Sequence, residues 1–346
     1  MIYNKQKVIF LLVLLFISLM SSEAATVGSV KQKQETIIGV KKVNPTTVDI
    51  LFSNHQRMTF DFYGENIFRV FQNNTGGNMQ APAAEPEARI LVDNPRKTIS
   101  DLMINDTNNQ ITITTSKIKL ILDKQTALLK VVNLSTGITV LEETEPVLFE
   151  KGKTVLTLKE NPDEYFYGGG VQNGRFSHKG KKIAIENQNS WTDGGVASPT
   201  PYYWSTRGYG FMWYTFKKGT YDFGATNKSM VKLSHETDYL DVFYMINDGV
   251  AALLNDFYQL TGHPVLLPKF GFYQGHLNAY NRDYWKQDEK GILFEDGKRY
   301  KESQKDNGGI KESLNGEKNN YQFSARAVID RYNSHDMPLG WLLPND

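Results

Sequence analysis

The stretch Gln110-Ile-Thr-Ile-Thr-Thr-Ser-Lys-Ile-Lys-Leu-Ile-Leu-Asp123 decides the fold of the chain. Apolar and polar residues alternate along most of it, which is typical of β-strands that bury only one face. The alternation breaks at Thr115 and Ser116. We therefore expect two strands, Gln110–Thr115 and Lys117–Asp123, joined by a short turn.

Strands of the same kind lie on both sides of this pair. Turn-forming residues such as Tyr63-Gly-Glu-Asn66 separate them. Because many short strands follow one another closely, the sequence predicts a mainly β fold, an antiparallel β-sandwich. The other predicted strands include Glu35–Val43, Thr47–Phe52, Arg57–Tyr63, Asn66–Gln72, Ala127–Asn133, Thr154–Lys159 and Tyr239–Ile246.

The first helical pattern comes after these strands. Residues Gly249–Leu260 place their apolar side chains on one helix face, and Gly262 and Pro264 end the pattern. We expect Asn247 or Asp248 to cap the N-terminus of this helix, because short polar side chains accept hydrogen bonds from its first free N–H groups.

Beyond about Pro268 the order of elements changes. A predicted strand, Lys269–Leu277, is followed by the polar insertion Asp288–Lys318, a helix at Phe323–Asn333 and a second strand at Leu339–Leu343. A strand, a helix and a further strand in this order are typical of a parallel α/β unit. We therefore expect a second domain, and we expect the chain to contain only its first two strands.

Composition excludes several classes of protein. The 346 residues carry 39 basic and 38 acidic side chains, so no basic excess favours a nucleic-acid partner. The sequence has no cysteine, which excludes disulfides, thiolate zinc sites and a cysteine nucleophile. The histidines show no metal-binding spacing, the Gly168–Gly170 run lacks the spacing of a phosphate loop, and no serine-nucleophile motif occurs. We expect no metal.

The N-terminus has the pattern of a secretory signal peptide. Lys5 and Lys7 precede an apolar run from Val8 to Met20, and Ser22 and Ala24 then supply the two small residues of a cleavage site. Thirteen apolar residues are too short to cross a hydrocarbon layer of ~30 Å. We expect cleavage after residue 24, bacterial export to the periplasm, cell surface or medium, and no membrane span in the mature chain.

One candidate binding residue lies between the predicted sandwich strands. Asp193 belongs to the loop Ser190-Trp-Thr-Asp-Gly-Gly195, where its carboxylate could accept hydrogen bonds from sugar hydroxyls while Trp191 stacks on a ring. An ordinary Asp-Gly turn is the alternative. Nearby aromatic residues could line a sugar groove or pack in the core: Tyr202, Tyr203, Trp204, Tyr209, Phe211, Trp213 and Tyr214.

Polar residues also follow the two predicted parallel strands. His276 and Tyr280 lie at the end of the first strand, and Asp346 lies at the end of the second. In a (β/α)₈ barrel the carboxyl ends of the strands form the active-site face, so position makes these residues candidates. Asp346 could equally cap the next helix.

Four motifs, in order along the chain, resemble glycoside hydrolase family 31. They are Tyr165-Phe-Tyr-Gly-Gly-Gly-Val-Gln172, Ser205-Thr-Arg-Gly-Tyr-Gly-Phe211, Phe257-Tyr-Gln-Leu-Thr-Gly-His-Pro-Val-Leu-Leu-Pro-Lys-Phe-Gly-Phe272 and Met337-Pro-Leu-Gly-Trp-Leu-Leu-Pro-Asn-Asp346. The first lacks the usual glutamate, and Gly340 stands where an aspartate is common. The resemblance covers the chain from about residue 35 onward.

The resemblance implies a galactose-mutarotase-like sandwich at 25–267 and the start of a (β/α)₈ TIM barrel at 268–346. It implies a retaining α-glycosidase that uses two carboxylates ~5–5.5 Å apart and no cofactor. In the family both carboxylates belong to later barrel strands, so we expect no catalytic residue within this chain. The resemblance makes Asp193, Tyr280 and Asp346, or its neighbour Asn345, substrate contacts. His276 is a candidate by position only.

The partner implied is an oligosaccharide or glycoconjugate. Gly340, Asn345 and the long insertion resemble a bacterial branch acting on α-linked N-acetylgalactosamine or galactose, and an α-glucoside or α-xyloside is the alternative. Two other hypotheses remain, a carbohydrate-binding sandwich without catalysis and an inactive truncated fragment. The DNA beyond codon 346 would separate these hypotheses.

Overall fold

The computed structural model describes residues 35–73, 90–280, 285–293, 297–302, 329 and 332–345. The chain divides into two compact units between His263 and Pro264. The expected signal peptide at residues 1–24 lies outside the described residues. Within the described part, no helix has the length and apolar character needed to cross a membrane.

The first unit is built almost entirely from β-strands. Their bounds are β1 Ile37–Asn44, β2 Thr47–Phe52, β3 Arg57–Gly64, β4 Ile67–Asn73, β5 Met103–Asp106, β6 Gln110–Thr114, β7 Ile118–Asp123, β8 Leu129–Asn133, β9 Thr139–Glu150, β10 Lys153–Lys159, β11 Phe166–Gln172, β12 Lys181–Ile185, β13 Val196–Ser205, β14 Tyr209–Trp213, β15 Gly219–Phe223, β16 Met230–His235 and β17 Tyr239–Ile246. The strand-rich pattern of the sequence is confirmed.

These strands form two antiparallel sheets. Sheet A has the order β1-β2-β3-β4-β17-β14-β13-β11, and sheet B has the order β12-β15-β16-β10-β9-β8-β7-β6-β5. The stretch that decides the fold forms the β6–β7 hairpin, in which Ile113 pairs with Leu120. Strands β1 to β4 precede the strands of sheet B, and the chain later returns to sheet A with β11, β13, β14 and β17, so β17 lies beside β4.

The core lies between the two sheets. Strand β7 turns Ile118, Leu120 and Leu122 inward, and all three are fully buried. Removal of each such side chain from water stabilises the fold by about 1.5–3 kcal/mol. Large aromatic residues fill the other end of the core, including Tyr203, Phe211, Trp213, Tyr221 and Phe223. The antiparallel sandwich expected from alternation is confirmed.

Helix α1, Val250–Thr261, packs on the outer face of sheet A. The ring of Phe257 stacks on Tyr202 with 4.1 Å between ring centroids. The expected cap is wrong, because Gly249 occupies the N-cap position and no side chain caps the helix. The two expected caps bind elsewhere: Asn247 donates to Asp256, and Asp248 accepts from Asn133.

The second unit contains a 3₁₀ helix, Lys269–Phe272, and the strands β18 Gln274–Tyr280, β19 Trp285–Leu293, β20 Arg299–Glu302 and β21 Leu339–Asn345. Strands β18 and β21 pair in parallel, as the sequence predicts. The first strand begins later than predicted, because its first residues form the 3₁₀ helix.

The polar insertion contains more order than its composition predicts. Strands β19 and β20 pair antiparallel, with Trp285 opposite Glu302, so the insertion begins with a hairpin. Most of the predicted helix Phe323–Asn333 lies outside the described residues. Helical backbone is described at residue 329 and at residues 332–334, which lie in the predicted helix or directly after it. The barrel beyond the parallel pair stays a prediction.

Candidate functional site

Three consecutive glycines shape the edge of the sandwich that carries the candidate site. Gly168, Gly169 and Gly170 lie in β11 with φ angles of 113°, 76° and 79°. A Cβ on Gly170 would lie 2.6 Å from the backbone nitrogen of Thr200, and a Cβ on Gly169 would lie 2.7 Å from Ile183. These glycines therefore allow β11 to approach both β13 and sheet B.

Gln172 joins the two sheets at this edge. Its Nε2 atom donates to the carbonyl of Gly169 at 3.0 Å and to the carbonyl of Ala184, on β12, at 2.9 Å. His178 supports the same strand, since its Nε2 atom lies 2.8 Å from the carbonyl oxygen of Gly168. Burial lowers the pKa of His178, so the neutral ring is favoured. Both side chains therefore hold the glycine strand in place.

The loop of residues 187–195, the site loop, is fixed to the turn that follows β11. Gly194 donates its N–H to the carbonyl of Asn173 at 2.9 Å, and Asn173 donates its N–H to Gly195 at 3.0 Å. The side-chain amide of Asn173 also donates to the carbonyl of Ser190 at 2.7 Å. Three bonds through one residue therefore set the position of the site loop.

Asp193 lies at the tip of this loop with its side chain exposed. Gly195 donates to the carbonyl of Thr192 at 2.9 Å, so the Asp-Gly turn considered from the sequence is present. A Cβ on Gly174 would lie 2.8 Å from Oδ1 of Asp193, so the carboxylate rests against that glycine. Backbone groups close this turn, so the carboxylate of Asp193 faces solvent and can accept hydrogen bonds from hydroxyl groups.

Two exposed aromatic residues lie in the same region. Trp191, in the site loop, is 73% exposed, and Phe176, in the adjoining turn, is 88% exposed. The ring of Phe176 meets Tyr167 edge-on at 5.7 Å, and Tyr167 stacks on Trp204 at 4.5 Å. Partly exposed rings of this kind can stack on the apolar face of a sugar.

Of the two positions considered for the aromatic residues, a sugar groove or the core, most of them occupy the core. Tyr203, Tyr209, Phe211 and Trp213 point into the core between the sheets, because alternate residues of β13 and β14 face inward. Trp204 alone of that set joins the partly exposed row. Sequence reasoning missed Tyr167 and Phe176, although the inward position of Phe166 would have placed Tyr167 on the outer face.

The other predicted site residues belong to the second unit. In β18 and β21, His276 pairs with Leu342, and Tyr280 pairs with Asn345. The carboxyl ends of the two parallel strands therefore meet at Tyr280 and Asn345, as the sequence predicts. The side chains of His276 and Tyr280 are not described, and Asp346 lies outside the described residues.

Gly340, one of the departures from the family pattern, has a packing explanation. A Cβ at this position would lie 2.8 Å from Cβ of Tyr273 and closer still to the carbonyl oxygen of Phe270. The 3₁₀ helix approaches β21 too closely for an aspartate at this position. The glycine therefore reflects the local packing of the second unit.

Residues 57–222 match the sequence model of the family described as the glycosyl hydrolase 31 N-terminal galactose mutarotase-like domain. A curated relative, an α-xylosidase of Emericella nidulans, is 25% identical over 149 residues, which are 42% of this chain and 19% of that protein. The alignment thus spans about a fifth of the relative's length.

Solved structures with a similar fold belong to the same family. A Flavobacterium johnsoniae dextranase matches with a TM-score of 0.65 and 13% identity, covering 73% of this chain and 31% of the dextranase. A soil-metagenome α-xylosidase in complex with xylose matches with a TM-score of 0.58 and 18% identity, covering 70% of this chain and 37% of the xylosidase. At these identities the likeness shows the fold.

The sandwich, the ordered motifs and the family match agree. Residues 57–222, within the described sandwich, are therefore identified as the N-terminal galactose mutarotase-like domain of glycosyl hydrolase family 31.

Proposed function

We propose that the chain is the N-terminal part of an exported retaining α-glycosidase that hydrolyses terminal α-linked sugars. The match of residues 57–222 to the N-terminal domain of the family carries this proposal. A retaining enzyme uses two carboxylates ~5–5.5 Å apart, one as nucleophile and one as acid and base. We assign both to barrel strands beyond Asp346, and the reaction needs no cofactor.

In this proposal the sandwich contributes a substrate contact. Asp193 accepts hydrogen bonds from hydroxyls of the terminal sugar, and Trp191 stacks on a sugar ring. Support comes from the exposure of both side chains and from the bonds through Asn173 that fix the site loop. A loop held at its base loses little conformational entropy when a ligand binds, which favours affinity.

The second unit supplies the start of the barrel in this proposal. The parallel pairing of β18 and β21 supports it, since parallel neighbours are the repeating feature of a (β/α)₈ barrel. His276, Tyr280 and Asp346 then lie at the carboxyl ends of the first two barrel strands, where a substrate binds. These roles stay proposals.

An α-xyloside or α-glucoside is the substrate class we favour. The relatives named above are α-xylosidases and a dextranase. The α-N-acetylgalactosaminide and α-galactoside alternative rests on departures that include Gly340, and the contact with Phe270 explains that glycine by packing. Asn345 and the long insertion remain the observations in favour of the galactosaminide branch.

A carbohydrate-binding sandwich without catalysis is the second candidate. The exposed rings of Trp191 and Phe176 favour it, because such rings bind sugars without any carboxylate pair. This candidate predicts affinity for neutral sugars in the 346-residue chain and no turnover when the encoded protein is extended past codon 346.

The test is a panel of nitrophenyl α-glycosides offered to two proteins, the 346-residue chain and the chain extended along its open reading frame. We expect the extended protein to release nitrophenol from the xyloside or glucoside and the 346-residue chain to release none. Turnover by the 346-residue chain, or none by an extended protein that contains further βα units, would contradict the proposal. Preference for the N-acetylgalactosaminide would select the other branch.

A further inference from the structure

A cleft of about 270 Å³ lies on the outer face of sheet B, between β12 and the site loop. Its lining includes Lys182 on β12, Thr220 on β15, and Arg175, Gln188 and Gly194 from the turn after β11 and the site loop. The strand register places Ala184 opposite Thr220, so Lys182 and Thr220 share the outer face of the sheet. Sugar-sized ligands bind in clefts of similar volume, ~300 Å³ and above.

Both cations of the cleft are without an ion-pair partner in the part of the chain that the structure describes. The carboxylate that faces Lys182 across the strand register is engaged elsewhere. Asp222, opposite Lys182 in the register, accepts the N–H groups of Ala225 at 2.7 Å and Thr226 at 3.2 Å. No acidic side chain lines the cleft. The residues that line the cleft therefore carry two positive charges and no negative charge.

Two hydrogen bonds hold Arg175 in place, and they leave N–H donors of its guanidinium available for a ligand. Its Nη2 atom donates to the carbonyl of Gly194 at 3.3 Å, and its backbone N–H donates to Gln172 at 3.2 Å. A guanidinium carries five N–H donors in a planar fork, and the bond to Gly194 uses one of them. The fork suits a planar or tetrahedral anion, and Lys182 adds a point charge beside it.

We propose that this cleft binds a carboxylate or sulfate group carried by a saccharide. Arg175 and Lys182 neutralise the anion, and the side chains of Gln188 and Thr220 supply neutral donors and acceptors for sugar hydroxyls. The anion part of the proposal stands on the two cations alone. The saccharide part rests on the proposed function, because the site loop that carries Asp193 forms one wall of the cleft.

The test is a titration of the 346-residue chain with glucuronate, inorganic sulfate and glucose, followed by NMR. We expect glucuronate to bind with a dissociation constant on the order of 1 mM, at least tenfold more tightly than glucose. Sodium chloride at about 0.5 M should weaken this binding, because it screens exposed charges. The variant Arg175→Gln with Lys182→Gln should lose glucuronate binding.

The matched control is Lys181→Gln, which removes the same charge one residue away on β12. It should keep glucuronate binding. Equal loss in the control, or equal affinity for glucose and glucuronate, would overturn the proposal. Inorganic sulfate that binds as tightly as glucuronate would contradict the saccharide part. An extended enzyme carrying Lys182→Gln alone, which leaves the bond from Arg175 to the site loop in place, should keep its turnover of neutral α-glycosides, so the failure of this site and the failure of the proposed function are distinguishable.

Discussion

A buried ion pair on sheet A and an open cleft beside sheet B differ in how their charges are partnered. On sheet A, Arg69 and Asp241 are almost fully buried and form two hydrogen bonds of 2.6 Å. Beside sheet B, Arg175 of the turn after β11 and Lys182 of β12 line an open cleft without acidic partners among the described residues. Buried charges require partners because desolvation is costly, whereas exposed charges can remain available to a ligand. The charges of Arg69 and Asp241 therefore serve stability, and those of Arg175 and Lys182 are available for binding.

The pair on sheet A should give the largest effect on stability. Burial raises the pKa of Asp241, and the guanidinium of Arg69 opposes that rise. Arg69→Met leaves the carboxyl buried without its partner, so we expect a loss of about 3–5 kcal/mol in the free energy of unfolding. Urea unfolding followed by tryptophan fluorescence measures it.

The double variant Arg69→Met with Asp241→Leu is the control for this prediction. It removes both charges together, so most of the lost stability should return. A single variant that costs less than about 1 kcal/mol would show that the buried pair does not need its charges matched.

The glycine strand that joins the two sheets should give the next largest effect. Gly170→Ala adds a Cβ that meets Thr200 and Ser198 at a φ of 79°, so we expect a loss of about 3 kcal/mol. Gly152→Ala is the matched control, because Gly152 has a φ of 78° and open space around it. It should cost only about 1–2 kcal/mol. Equal losses of unfolding free energy in the two variants, measured with urea, would mean that the contact of the new Cβ with β13 costs nothing beyond the backbone strain.

Glu143 is a second kind of buried ionisable group: it lies in sheet B and has no basic partner among the described residues. Burial raises its pKa to about 8, against the N–H that Leu129 donates at 2.9 Å. The folded state therefore holds a proton that the unfolded state releases near pH 4.5. This contribution to stability is complete below pH 4.5 and is lost as the pH rises to about 8.

Glu143→Gln should remove this pH dependence, because an amide does not titrate. We expect the free energy of unfolding to fall between pH 5 and pH 8 by at least about 1 kcal/mol more in the parent chain than in the variant. Urea unfolding at the two pH values measures the difference. Parallel pH profiles would contradict the raised pKa.

Alternation and turn residues were enough to predict the sandwich. The β6–β7 hairpin and the parallel pairing of β18 with β21 both follow from local apolar patterns. The cap of α1 could not be predicted, because Asn247 binds Asp256, nine residues further along the chain, and Asp248 binds Asn133, which is distant in sequence. Local sequence does not reveal such competing partners.

The candidate site was predictable only in part. Asp193 stood out because it lies in a polar, glycine-containing loop beside a tryptophan. The sequence did not indicate the cleft with Arg175 and Lys182, because the two residues line one cleft only when β12 and the turn after β11 come together. Their importance depends on the absence of acidic neighbours in three dimensions, which no sequence pattern records.

Substitution of Asp193 should have the smallest effect on stability, and it tests whether the site loop of the sandwich contacts the substrate. Asp193→Ala in the extended enzyme should change the free energy of unfolding by less than about 0.5 kcal/mol, because the side chain is exposed. The same change should lower kcat/KM for the preferred nitrophenyl α-glycoside about 10- to 100-fold, since each hydrogen bond to a charged group contributes about 1.5–3 kcal/mol. An unchanged kcat/KM would contradict the claim that the site loop of the sandwich contacts the substrate.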